Sequence, residues 1–192
     1  MKAISAASAV RACIAAAAAL LVTGPPAGAA IFERSLYTNH YEFSYDDCGF
    51  PVDVAGDVEH RIRIRTGTGP AEGAFFQRDR YSFTETQTNP ETGAFVTIEI
   101  HGLFNEVKAT RISGSVFEFV AVDAGQPFSL YDSNGNLVLR DRGSIRFRVV
   151  FDTLGDDKPG GEVVTELEPT VHGPHPTLGA DWCAIIAPLI GS

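Results

Sequence analysis

A period of two in hydrophobicity constrains this chain more than any other feature. Tyr37, Tyr41, Phe43 and Tyr45 share one parity, with Thr38, His40, Glu42 and Ser44 on the other. Ile62 and Ile64 alternate with Arg61, Arg63 and Arg65, and Tyr81 and Phe83 with Ser82, Thr84 and Thr86. Val96, Ile98 and Ile100 alternate with Thr97, Glu99 and His101. Ile145, Phe147, Val149 and Phe151 alternate with Ser144, Arg146 and Arg148. Successive side chains on a strand point to opposite faces, so each run predicts a strand with one buried face. Val116 to Val122 is apolar at both parities except Glu118, which predicts a central strand covered on both sides.

Turn signals separate these runs. Gly67-Thr68-Gly69-Pro70, Asn89-Pro90-Glu91-Thr92-Gly93 and Arg142-Gly143 are breaks, and Asn134-Gly135 within Asp132–Asn136 is a hairpin signal. Short turns favour antiparallel neighbours in sequence order. The expectation is an all-β single domain of about nine or ten antiparallel strands. Such a meander closes as a barrel or folds over as a β-sandwich, and the barrel is slightly favoured. No convincing helical period follows residue 30, and Trp182–Ile190 reads as a terminal strand or docked tail.

The first 29 residues follow a different rule. Lys2 and Arg11 precede Ala12-Cys13-Ile14, five alanines and Leu20-Leu21-Val22; Gly24-Pro25-Pro26 then breaks the run before Ala27-Gly28-Ala29. Charged, apolar and small-residue regions in that order predict a secretory signal peptide over 1–29. The apolar run of about a dozen residues is shorter than the roughly 20 that a membrane-crossing helix needs. The mature domain would then be 30–192, secreted, with no membrane span. Only Cys48 and Cys183 remain in it, and an oxidising compartment predicts a disulfide between them. Closing a loop of that length contributes roughly 5 kcal/mol at most. Two free or intermolecular thiols are the alternative.

The whole chain has 15 basic and 24 acidic residues; without Lys2 and Arg11 the balance is 13 against 24, a net charge of about −11. That argues against nucleic acid or an anionic membrane as partner.

Sites are sparsely signalled. Arg61, Arg63 and Arg65, with Arg146 and Arg148, make two strand faces of almost nothing but arginine. If they met, they would suit a carboxylate, sulfate or phosphate, so a small anionic ligand or an extracellular partner is the candidate binding call. Solvated arginines paired with acidic residues on neighbouring strands are the plainer reading. His60 and His101 could each meet a carboxylate such as Glu99 or Glu118 as an acid–base pair, although separate structural histidines are favoured. His172-Gly173-Pro174-His175, with Asp181 and Cys183, matches no standard zinc spacing, and Asp132-x-Asn134-x-Asn136 lacks the glycine and glutamate positions of a calcium loop. Asp152, Asp156 and Asp157 read as a solvated loop. No metal, no cofactor and no catalytic residue is assigned.

Cys48-Gly49-Phe50-Pro51-Val52, Asp132–Leu137 with Arg140-Asp141-Arg142-Gly143, Phe151–Asp156, Val171–Pro176 and Asp181-Trp182-Cys183 together resemble a type of small secreted all-β protein of high-GC Gram-positive bacteria. The resemblance implies export and a single disulfide, and carries no activity with it. The functional expectation is an exported domain that binds a ligand or partner, or serves the cell surface. The alternative is a small barrel enzyme, an isomerase or hydrolase using His and carboxylate groups at a barrel mouth. A pocket holding His60 or His101 beside a carboxylate would favour the enzyme, and a filled interior the binding domain.

Overall fold

The structure is a computed structural model and describes residues 30–191; the expected signal peptide, 1–29, lies outside the described residues. The alternating runs form strands, as their parity requires. Among the described residues there are eight: β1 (Ile31–Tyr45), β2 (Val52–Thr66), β3 (Phe75–Thr88), β4 (Phe95–Ser113), β5 (Val116–Tyr131), β6 (Leu137–Arg140), β7 (Gly143–Asp152) and β8 (Glu162–His172). All pairings are antiparallel, in the order β1-β2-β3-β4-β5-β7-β8, with β6 pairing the far end of β5. The all-β fold class holds, with fewer and longer strands than the turn signals suggested. β4 alone runs for 19 residues. It tolerates that length because bulges between Glu99 and His101, Glu106 and Lys108, and Arg111 and Ser113 bend it against β5.

The register places every predicted apolar parity on one face. Tyr41, Gly56, Glu85 and Ile98 stand in one cross-strand row, and Phe43, Val54, Gln87 and Val96 in the next. We call this the inner face. Arg61, Arg63 and Arg65 occupy the other, outer face.

Neither barrel nor sandwich forms. The sheet is single and open: β1 and β8 are its edges, and nothing among the described residues pairs them. Nearly all of β1 is exposed, and within β8 only Leu167 is not. The reason lies in the C-terminal segment, which is not a strand. Trp182–Ile190 is an α-helix, α1, capped by Asp181, whose carboxylate accepts the Ala184 N–H at 3.2 Å. Ile186 and Ile190, four apart and therefore on one side of the helix, are fully buried against Val52, Val54, Val96, Ile98 and Leu130. The last element thus lies on the inner face rather than completing a ring of strands.

Three further contacts hold α1 down. Trp182 Nε1 donates to Gln87 Oε1 at 3.1 Å, and Asn89 Nδ2 donates to the Ile190 carbonyl at 2.8 Å. The Cys48–Cys183 disulfide, with Cα atoms 5.0 Å apart, ties the first turn of α1 to the β1–β2 connection. The expected cross-link is present, but it pins a helix rather than closing a barrel. No helix among the described residues is long and apolar enough to cross a membrane.

Candidate functional site

Helix α1 covers only part of the inner face. Beyond it the face stays open and forms a trough with a cavity of about 650 Å³. Its floor is built by direct cross-strand pairs, Phe119 opposite Val149 and Ala121 opposite Phe147, with Phe151 beside them and its partner Phe117 buried beneath. Phe119 meets Phe151 edge-on at 5.9 Å and Phe76 at 6.0 Å, which fixes the rings that make the floor. Ile64 of β2 and Val163 and Leu167 of β8 line the same cavity although four strands lie between them, so the sheet bends toward its inner face. Phe75, Phe104 and the 153–160 loop, through Thr153, Pro159 and Gly160, complete the wall.

Polar groups enter the trough at few places. The β3–β4 ladder ends at Arg78–Asn105, and the next amide, Gln77 N–H, donates instead to Glu106 Oε2 at 2.5 Å. Burial pushes the Glu106 carboxyl above its ordinary range, against the lowering effects of that bond and of nearby Arg65. Asp123 also lines the trough and accepts from Tyr81 Oη at 2.9 Å. Glu166 and Arg148 stand on the β8 side, where Arg148 is held by Glu118 at 2.8 Å.

Tyr81 reaches Asp123 across β4, and it does so because Gly102 has no side chain: a Cβ there would overlap the phenol ring. The same arrangement recurs at the other end of the sheet. Tyr41 of β1 lies over Gly56 of β2 and donates to Glu85 of β3 at 2.6 Å. Burial first, and then the carboxylate bond, raises both phenol pKa values above the ordinary range, so both act as donors.

Between trough and helix lies a third polar group. His60 Nδ1 is 2.6 Å from Asp79 Oδ2, and the imidazole sits between Tyr37 and Tyr81, each ring centroid 6.0 Å away. Asp79 is buried, and its Oδ1 has no hydrogen-bond partner among the described residues. The carboxylate expected for His60 was Glu99 or Glu118; both lie on the outer face, and Asp79 takes that place. His101 is on the outer face too, and exposed. Asp79 was hard to find because it stands between two arginines at a position whose parity-mates are aromatic.

The five sequence-predicted arginines do not converge. Arg61, Arg63 and Arg65 lie on β2, whereas Arg146 and Arg148 lie on β7, with β3, β4 and β5 between them. Arg65 stacks over Phe76 at 4.1 Å. What stands beside Arg61 and Arg63 was not foreseen: Arg80 and Arg78 of β3, and Arg34 of β1. The alternation Arg78-Asp79-Arg80-Tyr81 carried that signal.

Asp132 accepts the backbone N–H groups of Asn134 and Asn136, as a hairpin turn does. His175 is buried with Nδ1 3.9 Å from Asp141, whose carboxylate also takes the Thr177 N–H. No group of three or more His, Cys, Asp or Glu suited to a metal occurs among the described residues. Compared with family models, curated proteins and solved structures, the chain finds no match.

Proposed function

We propose that this is an exported, non-catalytic ligand-binding domain whose trough takes a small elongated apolar molecule. One observation carries the reading: the uncovered half of the inner face holds a cavity of about 650 Å³ floored by phenylalanines. That volume is the size of a small-molecule site. Stacking another copy of the sheet on it is disfavoured by the carboxylates it contains.

The lining also selects charge. Glu106, Asp123 and Glu166 face the trough against Arg148, the one arginine in its lining, which Glu118 already holds; Arg65 near Glu106 stacks over Phe76 instead of lining the cavity. A neutral or cationic head group therefore suits it better than a carboxylate. The signal-like segment over 1–29 and the disulfide support placement outside the cytoplasm.

The test is fluorescence of N-phenyl-1-naphthylamine, a neutral apolar probe, displaced by dodecanol, dodecylamine or dodecanoate. Dodecanol and dodecylamine should displace it at lower concentration than dodecanoate. Val163→Asp on the exposed wall and Ala121→Phe on the floor should each weaken binding at least about tenfold. No probe binding, or binding indifferent to both changes, overturns the reading.

The His60–Asp79 pair favours a second reading, acid–base catalysis on a trough-bound substrate. Neither residue lines the cavity, which places this reading behind the first. Hydrolysis of acyl p-nitrophenyl esters that disappears in His60→Gln would support it, and absence of turnover by the parent protein would remove it.

A further inference from the structure

The outer face carries a feature that the trough does not use. Register sets Arg34, Arg63 and Arg78 side by side on β1, β2 and β3, and in the next outer row sets Arg61 beside Arg80. Neighbouring strands are about 4.8 Å apart and alternate residues about 6.7 Å, so five guanidinium groups share one small exposed grid. All five are exposed. Like charges directly opposite each other on a sheet are destabilising, and an acidic chain has carboxylates enough to avoid this. They lie elsewhere: Glu42, Asp53 and Asp57 occupy the outer face further along the same strands, where Asp57 and Glu42 bind His40 at 2.9 and 3.2 Å. Within the grid only Arg61 has an acidic partner among the described residues, Glu59 at 2.7 Å.

We infer that this grid is a docking surface for an acidic polysaccharide. Each planar fork can grip a carboxylate or sulfate through two parallel hydrogen bonds. Cross-strand spacing offers such forks in a line, which fits a linear polymer bearing acidic groups on successive sugars better than one small anion. The outer-face side chains flanking the grid include Leu36, Thr38, Glu59, Ser82 and Leu103, and the Phe76 ring in the adjoining row is buried under Arg65, so among the described residues no exposed Phe, Tyr or Trp stands beside the grid to stack a base. Sulfate and carboxylate share this recognition chemistry, and the two arms of the test separate them.

The experiment is retention of the purified protein on immobilised heparin and on immobilised polygalacturonate across a salt gradient. Parent protein, Arg63→Gln/Arg78→Gln, Arg61→Gln/Arg80→Gln, the combined variant and Lys158→Gln are compared. The parent should be retained on at least one resin and elute with rising salt. The combined variant should bind at least tenfold more weakly, the doubles should fall between, and Lys158→Gln, at an exposed position of the 153–161 loop, should match the parent. The glutamine variants should melt no lower than the parent, because they relieve like-charge contacts, and should keep trough binding of N-phenyl-1-naphthylamine. Lack of retention in low salt, retention unaffected in the combined variant, or tighter binding to a DNA duplex or to phosphatidylserine vesicles than to either polysaccharide overturns the inference.

Discussion

Tyr81 donates its hydroxyl hydrogen to Asp123 two strands away, with Oη 2.9 Å from both carboxylate oxygens. The bond spans β4 only at Gly102, so one residue without a side chain lets a phenol bridge three strands. Because Asp123 borders the trough, the bridge also anchors the trough's edge. Tyr81→Phe leaves a partly buried carboxylate without its donor and should cost about 1–3 kcal/mol in urea unfolding. Gly102→Ala should cost at least as much, since the ring must swing away and the same bond is lost. A Gly102→Ala protein as stable as the parent would contradict the bridge.

The helix is the lid of the core. Ile186 and Ile190 are both fully buried. Ile186→Ala should lower stability by about 2–5 kcal/mol, the usual cost of emptying a packed aliphatic site. Probe binding in the trough should persist, because α1 and the trough occupy different parts of the inner face. Thermal melts and probe fluorescence on one sample would check both halves of this expectation.

The disulfide holds that lid at its first turn. Cys48→Ser/Cys183→Ser, or reduction, should destabilise by about 2–5 kcal/mol. Hydrogen exchange should quicken first in 182–190, where the tether acts, and little in β3 and β4. Uniform quickening across the sheet would mean that the bond holds the strands rather than the helix.

Glu106 gives stability a pH dependence with a definite sign. Its folded-state pKa lies above the unfolded value because of burial. The folded state therefore holds the proton more tightly, and the contribution present below the ordinary glutamate range is lost as pH rises through the raised folded value. Glu106→Gln removes that loss. The variant's melting temperature relative to the parent should rise between pH 4 and pH 7; an unchanged difference would contradict the assignment.

Much of this was legible in the sequence, for one physical reason. Strand parity is local, so Ile62, Phe83, Ile98 and Phe147 could be put on the buried side before any partner strand was known. The Cys48–Cys183 pairing followed from there being no other cysteine after position 30. What could not be read depends on partners. Whether β1 meets β8 is decided by what fills the inner face, and the filler, Trp182–Ile190, is apolar on nearly every side and contains Pro188, so no helical stripe shows. Asp79 and Asp123 stand at inward positions where periodicity expects apolar residues, and only the neighbouring strands reveal what they bond. The arginine grid is likewise a property of register: Arg61 and Arg63 are visible alone, but Arg34, Arg78 and Arg80 join them only across the ladder.

The trough is the centre of the account, and a methyl-labelled NMR titration with dodecylamine tests it most directly. Saturable shifts should appear at Ala121, Val149, Val163 and Leu167, while Ile186 and Ile190 on the buried side of α1 stay in place. Shifts confined to exposed outer residues such as Leu36, or none at all at saturating ligand, would contradict it.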